Sequence, residues 1–154
     1  MHVQRVLAFA AVAVQAALSV PFFIAFVHKV YIEGARLDRT HIGELLASSV
    51  YLARHTSVVI MVRQGSASLC ALDVAEYIWA HPTIQPWGHE LPLQCPSCGA
   101  LSSLACTVHA KGVVITTCRA RSCDYKREYV KDASWTMVKS GEGGRWMTRD
   151  HRHD

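Results

Sequence analysis

The stretch CPSCGALSSLACTVHAKGVVITTCRARSC, residues 95–123, decides how the second half of this chain folds. Two residues separate Cys95 from Cys98, so both sulfurs can turn inward from one tight knuckle. Gly99 follows, and its permissive backbone lets amide groups approach those sulfurs. Cys118 and Cys123 form a second knuckle, and two knuckles close a tetrahedral four-sulfur site with bonds of about 2.3 Å. Between them, Leu101–His109, a turn at Ala110-Lys111-Gly112 and Val113–Thr117 read as a hairpin. The expectation is a β-rich zinc ribbon over residues 95–131 that binds Zn2+ through Cys95, Cys98, Cys118 and Cys123. Cys106 and His109 offer a competing C-x2-H pair. On a strand, however, residues three apart point to opposite faces, so they are set aside as a semi-buried thiol and a surface histidine.

Residues 95–126 resemble the C-terminal zinc ribbons of type IA topoisomerases. In those, a C-P-x-C-G knuckle, a hairpin, a C-x4-C knuckle and a basic residue follow one another. Cys95 to Gly99, Cys118, Cys123 and Lys126 occupy the matching positions. The resemblance covers about a fifth of the chain and implies a small four-cysteine ribbon of a kind that contacts single-stranded DNA. Nothing here resembles a topoisomerase catalytic domain, so no activity carries over.

Charge points to the same half. Residues 1–94 hold six basic and six acidic side chains, whereas residues 95–154 hold ten basic and six acidic ones, which is the whole excess of +4. Around the second knuckle Lys111, Arg119, Arg121, Lys126, Arg127 and Lys131 interleave with Tyr125 and Tyr129. Cations for phosphates and rings for base stacking suit single-stranded nucleic acid. The plainer reading is a solvated hairpin diluted by Asp124, Glu128 and Asp132, and a protein partner fits the same surface. Six cysteines could also make three disulfides, but clustering five of them between 95 and 123 favours a metal held in a reducing compartment, cytoplasm or nucleus.

The first half reads as a small, incomplete α/β domain, giving an α+β chain overall. Residues 6–27 carry no charge. Their length suits a membrane helix, which by the positive-inside rule would leave the ribbon in the cytosol. Arg5 and Ala17-Leu18-Ser19 suit a signal peptide. Alanine richness over 3–19, then Pro21 and the branched and aromatic run to Val27, suit a helix followed by a strand, and this reading is preferred. Beyond it, Thr40 caps a helix to about His55, Ser57–Arg63 forms a buried strand, and Leu69–Ala80 forms a helix stopped by Pro82. Helices alternating with strands imply parallel pairing, and two strands alone make too small a sheet. A third strand from elsewhere, association of copies through the sheet, or an origin as part of a larger α/β enzyme would each complete it.

The expected divisions are therefore 1–81 for the α/β domain, 82–94 for a Pro-rich connection, 95–131 for the ribbon and 132–154 for a C-terminal hairpin and tail. In that hairpin Ser134–Lys139 and Arg145–Thr148 flank a glycine-rich turn, and Trp135 and Trp146 pack across it. Cys70 reads as a core thiol. No catalytic residue is assigned: Gly65-Ser66-Ala67-Ser68 lacks the nucleophile-elbow pattern, and no set of catalytic roles assembles around His28, Lys29 or Gln64. A non-enzymatic zinc-ribbon protein is the leading expectation. An enzyme remnant, with a pocket at Val27–Lys29 and Arg63–Ser68, and a membrane-anchored ribbon are the alternatives.

Overall fold

Strand β1 (Arg5–Phe9) opens the fold and places Leu7 and Phe9 against the apolar interior. The computed structural model describes residues 5–11, 14–64, 71–141 and 143–151. Helix α1 (Ala16–Val27) continues into a π-helical turn at His28–Ile32, followed by α2 (Arg39–Ala47) and the single turn α3 (Val50–Ala53). Strands β2 (Val58–Gln64), β3 (Ala71–Ala80), β4 (Leu104–Val108), β5 (Val114–Cys118), β6 (Lys126–Tyr129), β7 (Thr136–Gly141) and β8 (Gly144–His151) complete the chain. Pairing is antiparallel in two sheets of order β1-β2-β3-β8-β7 and β4-β5-β6, and the fold is α+β.

Two compact units result. One joins Met1–Trp79 to Ser134–Asp154, and the other is Ala80–Ala133. The second is thus inserted into the chain of the first, between β3 and β7. The first half supplies three strands of its own, β1, β2 and β3, and the C-terminal hairpin extends their sheet to five, with β8 beside β3.

Several expectations for the first half are corrected. The helix expected over 3–19 and the strand over Pro21–Val27 exchange places. Pairing with β2 in the register Leu7↔Ile60 overrides the helix propensity of the alanines. In α1 the spacing Ser19, Phe22, Phe26 sets one helical face on the core, with Phe22 and Phe26 rings 6.3 Å apart. Pro21 sits inside this helix, where it withholds one amide hydrogen bond but does not end it. The helix expected over Leu69–Ala80 is strand β3. Ala75, Tyr77 and Trp79 alternate onto the core face, a period of two that the helical reading passed over. With β3 a strand, β2 and β3 pair antiparallel from Val58↔Tyr77 to Gln64↔Ala71, and the parallel arrangement falls.

The core of this unit gathers Phe22, Leu46, Leu52, Val58, Tyr77, Trp79 and Trp146. Trp146 donates its Nε1 hydrogen to the Leu46 carbonyl oxygen at 2.9 Å, which ties β8 to α2. The cap of α2 is Asp38 rather than Thr40, its Oδ1 accepting from the His41 amide at 3.0 Å. Two glycines permit close packing: a Cβ at Gly43 would strike Val138 on β7, and one at Gly144 would strike the Trp79 ring. The other β8 residues tie the strand to β3. Arg149 Nη2 donates to Glu76 Oε2 at 2.6 Å, His151 Nε2 lies 2.9 Å from the same oxygen, and the Arg149 guanidinium stacks 4.5 Å from the Trp135 ring centroid. Burial works against charge on Glu76, but the Arg149 and His151 hydrogen bonds outweigh it and hold the carboxyl below the usual carboxylate range.

Among the described residues no helix is long and apolar enough to cross a membrane. The 12 residues of α1 span about 18 Å, against about 30 Å of hydrocarbon. Gly65, Ser66, Ser68 and Cys70 lie outside the described residues, as does the tail beyond His151.

Candidate metal centre

In the unit Ala80–Ala133 the three-stranded sheet carries both knuckles. At the first, a bridge between Gln94 and Leu101 pins the two ends of the loop. The Cys95 amide donates to the Ala100 carbonyl at 3.0 Å and the Gly99 amide to the Cys95 carbonyl at 2.8 Å. Gly99 has φ +72° with open space where a side chain would be, so glycine is needed there for its backbone angle rather than for room. At the second knuckle Cys118 ends β5, its amide donating to the Tyr125 carbonyl at 3.1 Å, and Cys123 closes a turn on the Ala120 carbonyl at 3.3 Å. Ser122, just before Cys123, takes φ +66°, which is unusual for a residue with a side chain. The register Leu104↔Cys118 and the Arg119 amide bond to the Ser103 carbonyl, 2.8 Å, bring this knuckle over the first.

The four cysteine sulfurs converge. Cys95 Sγ lies 3.7 Å from Cys123 Sγ, Cys98 Sγ lies 3.8 Å from Cys118 Sγ, and all four fall within 4.8 Å of one another. A disulfide needs sulfurs about 2.05 Å apart, so these are free thiols. Four sulfurs each about 2.3 Å from a central ion stand about 3.8 Å apart along the edges of a regular tetrahedron. The Cys95–Cys123 and Cys98–Cys118 spacings match that edge and the whole set falls within 4.8 Å, so the residues fit a tetrahedral metal ion.

Polar groups around the sulfurs strengthen the fit. Ser103 Oγ lies 3.2 Å from Cys118 Sγ, and the Ala120 amide donates to the same sulfur at 3.4 Å. That hydroxyl and that amide, acting against burial, pull the Cys118 thiol down to about 7. The Ala100 amide pulls Cys98 the same way, yet the Cys123, Cys95 and Cys118 sulfurs and burial overcome it and push Cys98 up to about 12. A cluster that makes one thiolate easy and the last one hard is the setting a dication relieves, because the metal binds thiolates and neutralises their mutual repulsion. Ser103 had left no mark in the sequence reading, since a hydroxyl that supports a sulfur follows no spacing rule.

Cys106 and His109 do not join the cluster. Cys106 is half-buried with Sγ 3.0 Å from Thr116 Oγ1, and His109 is exposed. The segment expected as a Pro-rich connection belongs to this unit. Trp87 donates its indole hydrogen to the Gly112 carbonyl at 2.7 Å, and the His89 and Tyr129 rings meet at 5.4 Å.

The basic residues divide. Arg119, Arg121, Lys126, Arg127 and Lys131 are exposed and Tyr125 is half-exposed, while Lys111 lies in the tip turn Ala110–Gly112. Lys126 is paired with Glu128 at 3.3 Å. Tyr129 is only 3% exposed and serves as a core residue here, not as an open stacking platform. Its place opposite Val114 turns the ring inward, and the Arg127 guanidinium lies 5.0 Å from its centroid. Set against known protein families, curated proteins and solved structures, the chain matches none of them.

Proposed function

We propose that this chain is a non-enzymatic zinc-ribbon protein whose ribbon recognises single-stranded nucleic acid. The observation that carries the zinc reading is the tetrahedral-edge spacing of Cys95, Cys98, Cys118 and Cys123. A four-sulfur tetrahedron takes zinc or iron, and the two-knuckle ribbon spacing favours zinc. Bound there, zinc supplies a cross-link between three strand ends that share a very small core, and its binding energy is folding energy for the unit. The support for nucleic acid is the exposure of Arg119, Arg121, Arg127 and Lys131 around the second knuckle, beside Tyr125. Arg127 stacked over Tyr129 offers a flat cationic face in place of the buried ring. The likeness of residues 95–126 to topoisomerase ribbons favours the same ligand.

The test is fluorescence anisotropy of a labelled single-stranded oligonucleotide with the zinc-loaded chain at several salt concentrations. The expected result is binding whose logarithmic salt slope is about −0.7 per phosphate contacted. Replacing Arg119 and Arg121 by alanine should reduce that slope and weaken affinity about tenfold or more, across all sequences alike. Absence of binding at low salt contradicts the nucleic-acid reading and leaves a protein partner for this surface.

A further inference from the structure

The outer face of α1 is the least explained surface of the molecule. A helix on a protein surface normally turns a polar face to water. Here one side of α1 buries Ser19 and Phe22, while the opposite side presents Val20, Phe23, Ile24 and Val27 to solvent. The π-helical turn extends that strip with Tyr31 and Ile32. Ile24 is 65% exposed, Tyr31 75% and Ile32 70%. A groove of about 350 Å³ lined by Val20, Phe23, Ile24, Val27, His28 and Ile32 runs along it.

We propose that this face is the contact between two copies of the chain, paired about a two-fold axis with α1 packed on α1. The exposed parts of these residues sum to on the order of 700 Å² per copy, so covering the whole strip would approach the about 800 Å² per partner of a stable interface of standard size. A patch of this extent also exceeds the few hundred Å² that monomers usually leave open. Tyr31, the most exposed residue of the strip, does not line the groove and is the side chain that would seat in the groove of the second copy. Part of the strip's flanking charge is paired internally. Glu33 holds Lys29 at 2.8 Å and lies 3.0 Å from His28 Nδ1, which lowers the repulsion between two copies at this edge. With Lys29 paired to Glu33, Arg36 is the exposed cation left near the strip among the described residues, a sparser basic fringe than an anionic lipid surface calls for.

The test is the molar mass of the full zinc-loaded chain by sedimentation equilibrium, with parallel flotation on phosphatidylserine vesicles. The expected mass is twice the 17.0 kDa of one chain, with no vesicle binding. Ile24→Glu combined with Tyr31→Glu should weaken self-association by at least about a hundredfold. Both positions are exposed, so the far-ultraviolet spectrum and zinc content should stay unchanged. Should that pair disturb folding, Tyr31→Arg alone should raise the dissociation constant about tenfold. Leu93→Glu, exposed in the other unit, should leave the mass doubled. A single-chain mass for the wild type, with or without vesicle binding, overturns the proposal. So does a doubled mass that the α1 variants do not alter.

Discussion

Gly99 and Ser122 hold the two knuckles with positive φ, yet only one of them is glycine. The same physical rule therefore gives opposite outcomes. Gly99→Ala introduces no clash but forces a left-handed side-chain residue, costing about 1 kcal/mol and weakening metal affinity several-fold. Ser122→Gly relieves that strain and should leave affinity equal or improved. Competition with a chromophoric chelator reads both. Glu76 gives a pH prediction. Its folded value is depressed, so its contribution is present above the unfolded carboxylate value of about 4.3 and is lost as pH falls through the folded one. Glu76→Gln should cost about 1 kcal/mol near neutral pH, discounted for the partial exposure of Arg149 and His151. The difference from wild type should shrink towards zero as pH drops below about 4, as urea titrations of both proteins would report. At this scale the clustered cysteines were legible because two close-spaced pairs are the pattern a tetrahedral site requires. The Glu76–Arg149–His151 cluster was not, because 73 and 75 residues separate its members and nothing local couples them.

Elements were legible where periodicity and neighbours agreed. The hairpin β4–β5 falls where alternation between the knuckles put it, and β2 follows its continuous apolar run. The misreadings at β1, α1 and β3 share one cause. Short apolar runs serve helix and strand alike, and the Ser19, Phe22, Phe26 spacing outweighs the interruption at Pro21. In β3 the pairs Ala75–Tyr77 and Tyr77–Trp79 carried the true signal. The glycines at element contacts test the packing directly. Gly43→Ala should push α2 from Val138 and Gly144→Ala should displace the Trp79 ring, each costing about 1–3 kcal/mol. Thermal unfolding should show the lowered midpoint, and near-ultraviolet circular dichroism should change most for Gly144→Ala, where an indole must move. An unchanged midpoint in both would contradict the packing of α2 and β8 described above.

On the scale of the whole molecule, the feature hidden from a linear reading is the insertion. A chain that leaves a sheet at β3 and returns to it at β7 interrupts no local pattern, so the C-terminal hairpin looked like an appendage. Its Trp146 is in fact a core residue of the first unit. Residues 80–133 alone, loaded with zinc, should give a dispersed proton–nitrogen correlation spectrum that collapses on chelation. Residues 1–79 alone lack β7 and β8 and should not fold, whereas mixing them with a 134–154 peptide should restore helical signal. In the proposed function four cysteines hold one zinc ion and thereby the ribbon. Native mass spectrometry of the full chain before and after chelation tests it most directly. One zinc per chain is expected, lost on chelation and absent from a Cys118→Ser, Cys123→Ser variant. A metal-free chain, a mass increment that fits iron, or zinc retained by that variant would contradict it.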